Sequence, residues 1–179
     1  IKYLIKKITA SNTYKQSAEI SKKQIETDPD NVYYSRSSRI RYKAETIRDY
    51  ILFTSGLLNT KIGGPSVKPY QPKGVWESTT SGRGVLASYK QDHSADLYRR
   101  GIYTFIKLTA PPPSMMIFDA SNRDQCEAKR SSTNTPLQAL NMLNDPTILE
   151  ASRVMAQKLS MSNGSLEEKI QKAFETILI

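Results

Sequence analysis

Apolar residues recur at helical spacing in four separated stretches of this chain, with long polar, Gly- and Pro-rich sequence between them. Ile1, Leu4, Ile5 and Ile8 share one face, so the opening residues read as the end of a helix that begins upstream. Ser21-Lys22-Lys23-Gln24 has the form of a capping box and predicts a short helix, which Asp28-Pro29-Asp30-Asn31 ends as a turn. Ile47, Tyr50, Ile51, Thr54 and Leu58 make the face of a longer helix over 42–58, with Gly56 near its end. Thr135-Pro136-Leu137-Gln138 joins a capping residue, Pro at the first helical position and Gln at the third, a strong helix start. Asp145-Pro146 begins another helix with Ile148, Leu149, Ser152, Met155 and Leu159 on its face. Ser165-Leu166-Glu167-Glu168 begins a last one that carries Ile170, Phe174 and Ile177.

Between these helices the pattern weakens. Residues 59–91 hold five of the eight glycines and three prolines, which disfavours regular structure over an unusually long span. Such a loop is either pinned by Tyr70 and Trp76 packing on the helices or used as a binding segment, and Val85, Leu86 and Tyr89 fit a short strand or a turn of helix equally. Residues 96–108 are expected to be helical on the spacing of Tyr98, Ile102, Phe105 and Ile106, although Ile102 to Ile106 also has strand character. Pro111-Pro112-Pro113 should stop that helix in extended polyproline form, and Ser121 with Asp124 suggests one short helix near Cys126. The predicted fold is mainly α, about six helices with a long irregular loop and at most one short strand pair.

The run Tyr98 to Pro146, YRRGIYTFIKLTAPPPSMMIFDASNRDQCEAKRSSTNTPLQALNMLNDP, is the most distinctive part of the chain. With Thr13 to Ser17, Arg39 to Asp49, Gly63 to Pro72 and Trp76, it closely resembles domain of unknown function 1553, the C-terminal domain of large extracytoplasmic proteins of Planctomycetes and some Bacteroidetes. There it follows cytochrome c-like modules. The resemblance implies a periplasmic or extracellular setting, neighbouring domains of the same chain as partners, and haem in a neighbouring domain with no cofactor in this fragment. The lack of a starting Met and the apolar last residues Thr176-Ile177-Leu178-Ile179 lead to the expectation that residues 1–179 are a single domain excised from such a protein.

The formal charge of +9 comes wholly from the first half: residues 1–90 hold 16 Lys or Arg against 7 Asp or Glu, and residues 91–179 hold 10 against 10. No basic run of five occurs, so the excess reads as a loosely charged solvated surface or as a face for an anionic glycan or an acidic neighbouring domain; with no nucleic-acid-binding pattern in the chain, nucleic acid is not an expected partner. No segment has the ~20 apolar residues that would span a bilayer.

Catalytic chemistry finds little to work with. The only cysteine, Cys126, has no second thiol and no adjacent histidine, so c-type haem cannot attach, and it is expected to be buried and inert. His93 is the only imidazole; Asp92 and Asp96 beside it do not make a convincing metal site, and Ser94 cannot use it merely by adjacency. No catalytic or metal residues are therefore assigned. The arginines carry more information, because guanidinium groups pair bidentately with carboxylates, sulfates and phosphates. Arg99, Arg100, Arg123 and Arg130 stand near Asp119, Asp124 and Glu127. They either clamp the Pro-rich segment in an internal network with Asp119, Asp124, Asn134, Gln138 and Asp145, or line an anion or partner site in which Trp76 and Tyr98 supply faces for an acidic or sulfated glycan.

Overall fold

The computed structural model describes residues 1–80, 83–121, 123 and 126–178. The fold is mainly α: seven α-helices and three 3-10 turns among the described residues, with isolated β-bridges in place of a sheet. No described helix is long and apolar enough to cross a membrane. The chain separates into two units, Ile1–Arg41 and Tyr42–Ile179.

The first unit holds α1 (Lys2–Ala10) and α2 (Lys22–Thr27). The helical pattern and capping box act as expected: Gln24 N–H donates to Ser21 Oγ at 3.3 Å, and Ser21 N–H donates back to Gln24 Oε1 at 3.0 Å. Asp28 ends α2 and is the only buried residue of the unit, its carboxylate accepting the amides of Val32 at 2.7 Å and Tyr33 at 3.1 Å. Arg36 then closes the turn onto the Asp28 carbonyl at 2.8 Å. Hydrogen bonds, and no apolar core, organise these residues; Leu4, Ile5 and Ile8 of α1 all remain exposed.

The second unit is built around α3 (Ala44–Ser55), which packs against α4 (Pro113–Met116), the 3-10 turn Gly101–Tyr103 and α6 (Pro146–Met161); α5 (Pro136–Asn144) and α7 (Leu166–Leu178) pack on α6. Ala44, Met115, Phe118 and Ala120 form the core, joined by Ile47, Met116 and Ile117. Gly56 ends α3 in the left-handed region at φ +73°, where a side chain would also meet Lys158 Nζ, which donates to the Ser55 carbonyl at 2.7 Å. That cation sits at the negative end of the α3 dipole.

Three local expectations are corrected. Residues 96–108 do not form one helix: the 3-10 turns Ser94–Tyr98 and Gly101–Tyr103 are separated by extended backbone at Arg99 (ψ 155°) and Arg100 (ψ 147°). Tertiary pairing wins here, since Val67 N–H donates to the Tyr103 carbonyl and Phe105 N–H to the Val67 carbonyl, both at 2.8 Å. The polyproline stop ends one residue early, because Pro113 supplies the first turn of α4, where its missing N–H costs nothing. Cys126 is exposed rather than buried. Asp124 lies outside the described residues, and the described neighbours Ser121, Arg123 and Cys126 are not helical.

The described residues of 59–91 are pinned. Trp76, 1% exposed, packs edge-on against Tyr89 at 5.0 Å between ring centres and against Phe105 at 5.6 Å. Asp92 holds Lys68 through both backbone and side chain, at 2.9 and 2.7 Å, and the Tyr89 hydroxyl donates to the Pro69 carbonyl. Val85 and Leu86 are exposed and belong to neither strand nor helix.

Candidate functional site

Glu45 and Asp49 stand four residues apart on α3, so both carboxylates leave one face of the helix. Gly101 lies directly against that face: a Cβ there would come within 3.0 Å of Glu45 Cα, and the missing side chain lets the Gly101–Tyr103 turn close onto α3. The closure brings Gly101 N–H to Asp49 Oδ1 at 2.5 Å and Arg100 Nε to Asp49 Oδ2 at 3.0 Å. Arg130 Nη1 donates to both oxygens of Glu45 at 2.9 and 2.8 Å.

These pairs border an open depression of about 380 Å³ whose apolar lining includes Met115, Ile102 and Ile106. Lys43, Arg100, Arg123 and Arg130 line it against Glu45 and Asp49, so its rim stays net cationic. Arg123 is exposed and holds a left-handed backbone at φ +65°. The Arg100 side chain is 54% exposed, and ion pairs in such a setting contribute only about 0–1 kcal/mol, so an incoming anion can compete for its guanidinium at little cost.

The structure thus brings two of the expected binding residues, Arg100 and Arg123, to one place and sends the others elsewhere. Arg99 is 2% exposed. Its guanidinium donates to the carbonyls of Pro65 at 3.0 Å, Lys61 at 3.1 Å and Gly63 at 2.6 Å, and lies 3.9 Å from the centre of the Tyr103 ring. Tyr103 in turn accepts Gly63 N–H at 2.9 Å, which completes a clasp around the glycine-rich turn. Trp76 is core and offers no face to solvent, with Lys107 Nζ 4.9 Å from its ring centre. Tyr98 donates to Glu150 Oε1 at 2.9 Å while Tyr70 donates to Oε2 of the same carboxylate at 3.0 Å. Burial first, and the neighbouring carboxylate second, raise the Tyr98 hydroxyl to about 12 and move Tyr70 in the same direction.

The polar residues of the motif perform local clamping. Asp119 accepts Thr133 N–H at 2.8 Å and its hydroxyl at 3.0 Å, and Gln138 donates to the Ile117 carbonyl at 2.9 Å and to Thr133 Oγ1 at 3.1 Å. Asp145 caps α6 through Thr147 N–H at 2.8 Å. Asn134 sits exposed between Thr133 and the cap of α5.

Sequence reasoning missed Glu45, Asp49, Glu150 and Arg48. The first two carried a signal, two acids four apart on a predicted helix; Glu150 and Arg48 acquire their roles only from distant partners. Arg48 Nη2 donates to the Leu97 carbonyl at 2.6 Å, and burial lowers its pKa against the pull of Asp145 and Asp49. Among the described residues no three His, Cys, Asp or Glu side chains converge to hold a metal ion. His93 is exposed at the start of the Ser94–Tyr98 turn.

Neither a curated protein nor a solved structure matches this chain. A family model does, over residues 1–179, and its description is a protein of unknown function, DUF1553, also termed PSD1. With every residue of the sequence inside that match, the chain belongs to the DUF1553 family.

Proposed function

We propose that this is a noncatalytic interaction and scaffold domain that supports neighbouring modules of a larger periplasmic or extracellular protein, including a cytochrome c-like module that carries haem. The observation that carries the reading is the use of the motif's polar side chains. Arg99, Asp119, Gln138 and Asp145 clamp irregular backbone or neighbouring side chains, and among these described residues no nucleophile is paired with a base. Exposed apolar faces on α1 and α7, at Leu4, Ile5, Ile8, Phe174 and Ile177, are surfaces a neighbouring module would cover. Cross-linking mass spectrometry on the whole protein tests this: lysines of α1 and α7 should link to other modules, and their linking only within residues 1–179 would sink the proposal.

A second reading rests on the cationic depression, which suits an acidic or sulfated polysaccharide as ligand. Saturable binding of a sulfated polysaccharide at about physiological salt, lost in an Arg100→Gln/Arg123→Gln double variant that keeps its thermal midpoint, supports it. Equal binding by the double variant rejects it.

A further inference from the structure

A second cavity of this unit, about 460 Å³, shares no lining residue with the cationic depression and is lined by parts of the chain far apart in sequence. The segment Tyr70-Gln71-Pro72 forms one wall, the start of α4 at Pro113 and Ser114 another, and the junction between α5 and α6 the third. Its volume falls within the range of small-molecule sites.

The chemistry of the walls selects the ligand. Among the described residues no lysine or arginine lines the cavity, which argues against an anion. Asp145 is the only charged residue among the described lining residues, and its Oδ1 accepts the Thr147 and Ile148 amides at 2.8 and 3.4 Å, with Arg48 as a favourable electrostatic neighbour. A carboxylate already balanced in this way does not call for a cation. The other polar groups are the amides of Gln71, Asn141 and Asn144 and the Ser114 hydroxyl, groups that both donate and accept, as alcohols require. Ile117, the prolines and the Tyr70 ring, whose hydroxyl is held by Glu150, add apolar CH surface to these hydrogen-bonding groups. Gln71 Nε2 adds an independent sign: it is buried and has no hydrogen-bond partner. An unpaired buried donor is costly, and because the Gln71 residue is only part-buried, a turn of its side chain brings that donor to a ligand oxygen in the cavity.

We propose that this cavity binds one uncharged sugar unit, with Gln71 and Asn141 as its principal hydrogen-bonding side chains. The site is separate from the cationic depression, and its ligand differs from the one proposed there in carrying no charge. The test titrates the full chain with cellobiose, maltose, xylobiose and chitobiose, followed by protein-observed NMR and calorimetry. Saturable binding of at least one disaccharide is expected, with shifts centred on Gln71, Ser114 and Asn144. Gln71→Leu and Asn141→Leu, each checked for an unchanged circular dichroism spectrum, should weaken it at least tenfold, whereas Arg100→Gln should leave it within twofold. No saturable binding to any of the four sugars overturns the proposal. So does binding whose shifts map elsewhere, or preference for a proline-rich peptide in a parallel titration. If either Leu variant fails to fold, the map of shifts in the unmodified chain still decides the matter.

Discussion

Arg99 and Arg100 are adjacent in sequence and serve opposite ends. Arg99 turns into the glycine-rich loop, 2% exposed, and gives its guanidinium to three backbone carbonyls under the Tyr103 ring. Arg100 turns outward to the depression and rests on Asp49 with over half its side chain exposed. Extended backbone at both residues puts consecutive side chains on opposite sides, which a helix would not do. The lesson concerns dielectric more than residue type: the same cation is a structural rivet where carbonyls replace its hydration and an exchangeable contact where water remains.

The comparison can be broken hardest at the core beneath the loop. Trp76→Ala should cost about 3–5 kcal/mol, since it removes the largest buried ring between Tyr89 and Phe105, and urea denaturation should show the loss as a lower midpoint. Arg99→Ala strands three carbonyls and should destabilise by about 3 kcal/mol; hydrogen exchange at 61–67 should rise with it, and unchanged protection there would contradict the clasp.

Alkaline titration probes a third, weaker part of the same region. Tyr98 ionises near 10 when unfolded and at about 12 when folded, so its contribution is fully present below pH 10 and is lost as pH rises towards 12. Solvent screening keeps the effect to about 1 kcal/mol or less. Thermal midpoints measured from pH 8 to 11.5 should fall less steeply for Tyr98→Phe than for the unmodified chain. Smallest of all, Arg100→Gln should change stability by about 0–1 kcal/mol, and a loss comparable to that of Arg99→Ala would show that exposure had misjudged it.

Much of the helical layout was legible in advance because its signals are local. The boxes at Ser21 and Thr135, the Asp145-Pro146 start and the glycine at 56 each satisfy backbone groups within a few residues, so neighbouring sequence is enough to recognise them. Residues 96–108 were misread for the converse reason. Their amphipathic spacing was real, but Val67, some thirty-seven positions from Thr104, offered backbone pairing that outweighed a weak helical preference. Of the expected binding residues, Arg100 and Arg123 converge, while Trp76, Tyr98 and Arg99 were drawn inward by partners that composition does not reveal.

By itself the sequence determined the mainly α class, the family and the ends of most helices, since caps, apolar periodicity and an extended motif are properties of contiguous residues. Only the tertiary structure decided which arginine is buried, which carboxylates receive the exposed ones, and where the depression and the cavity open. Each of those depends on long-range closure of irregular backbone, where the winning partner is the one the fold brings near.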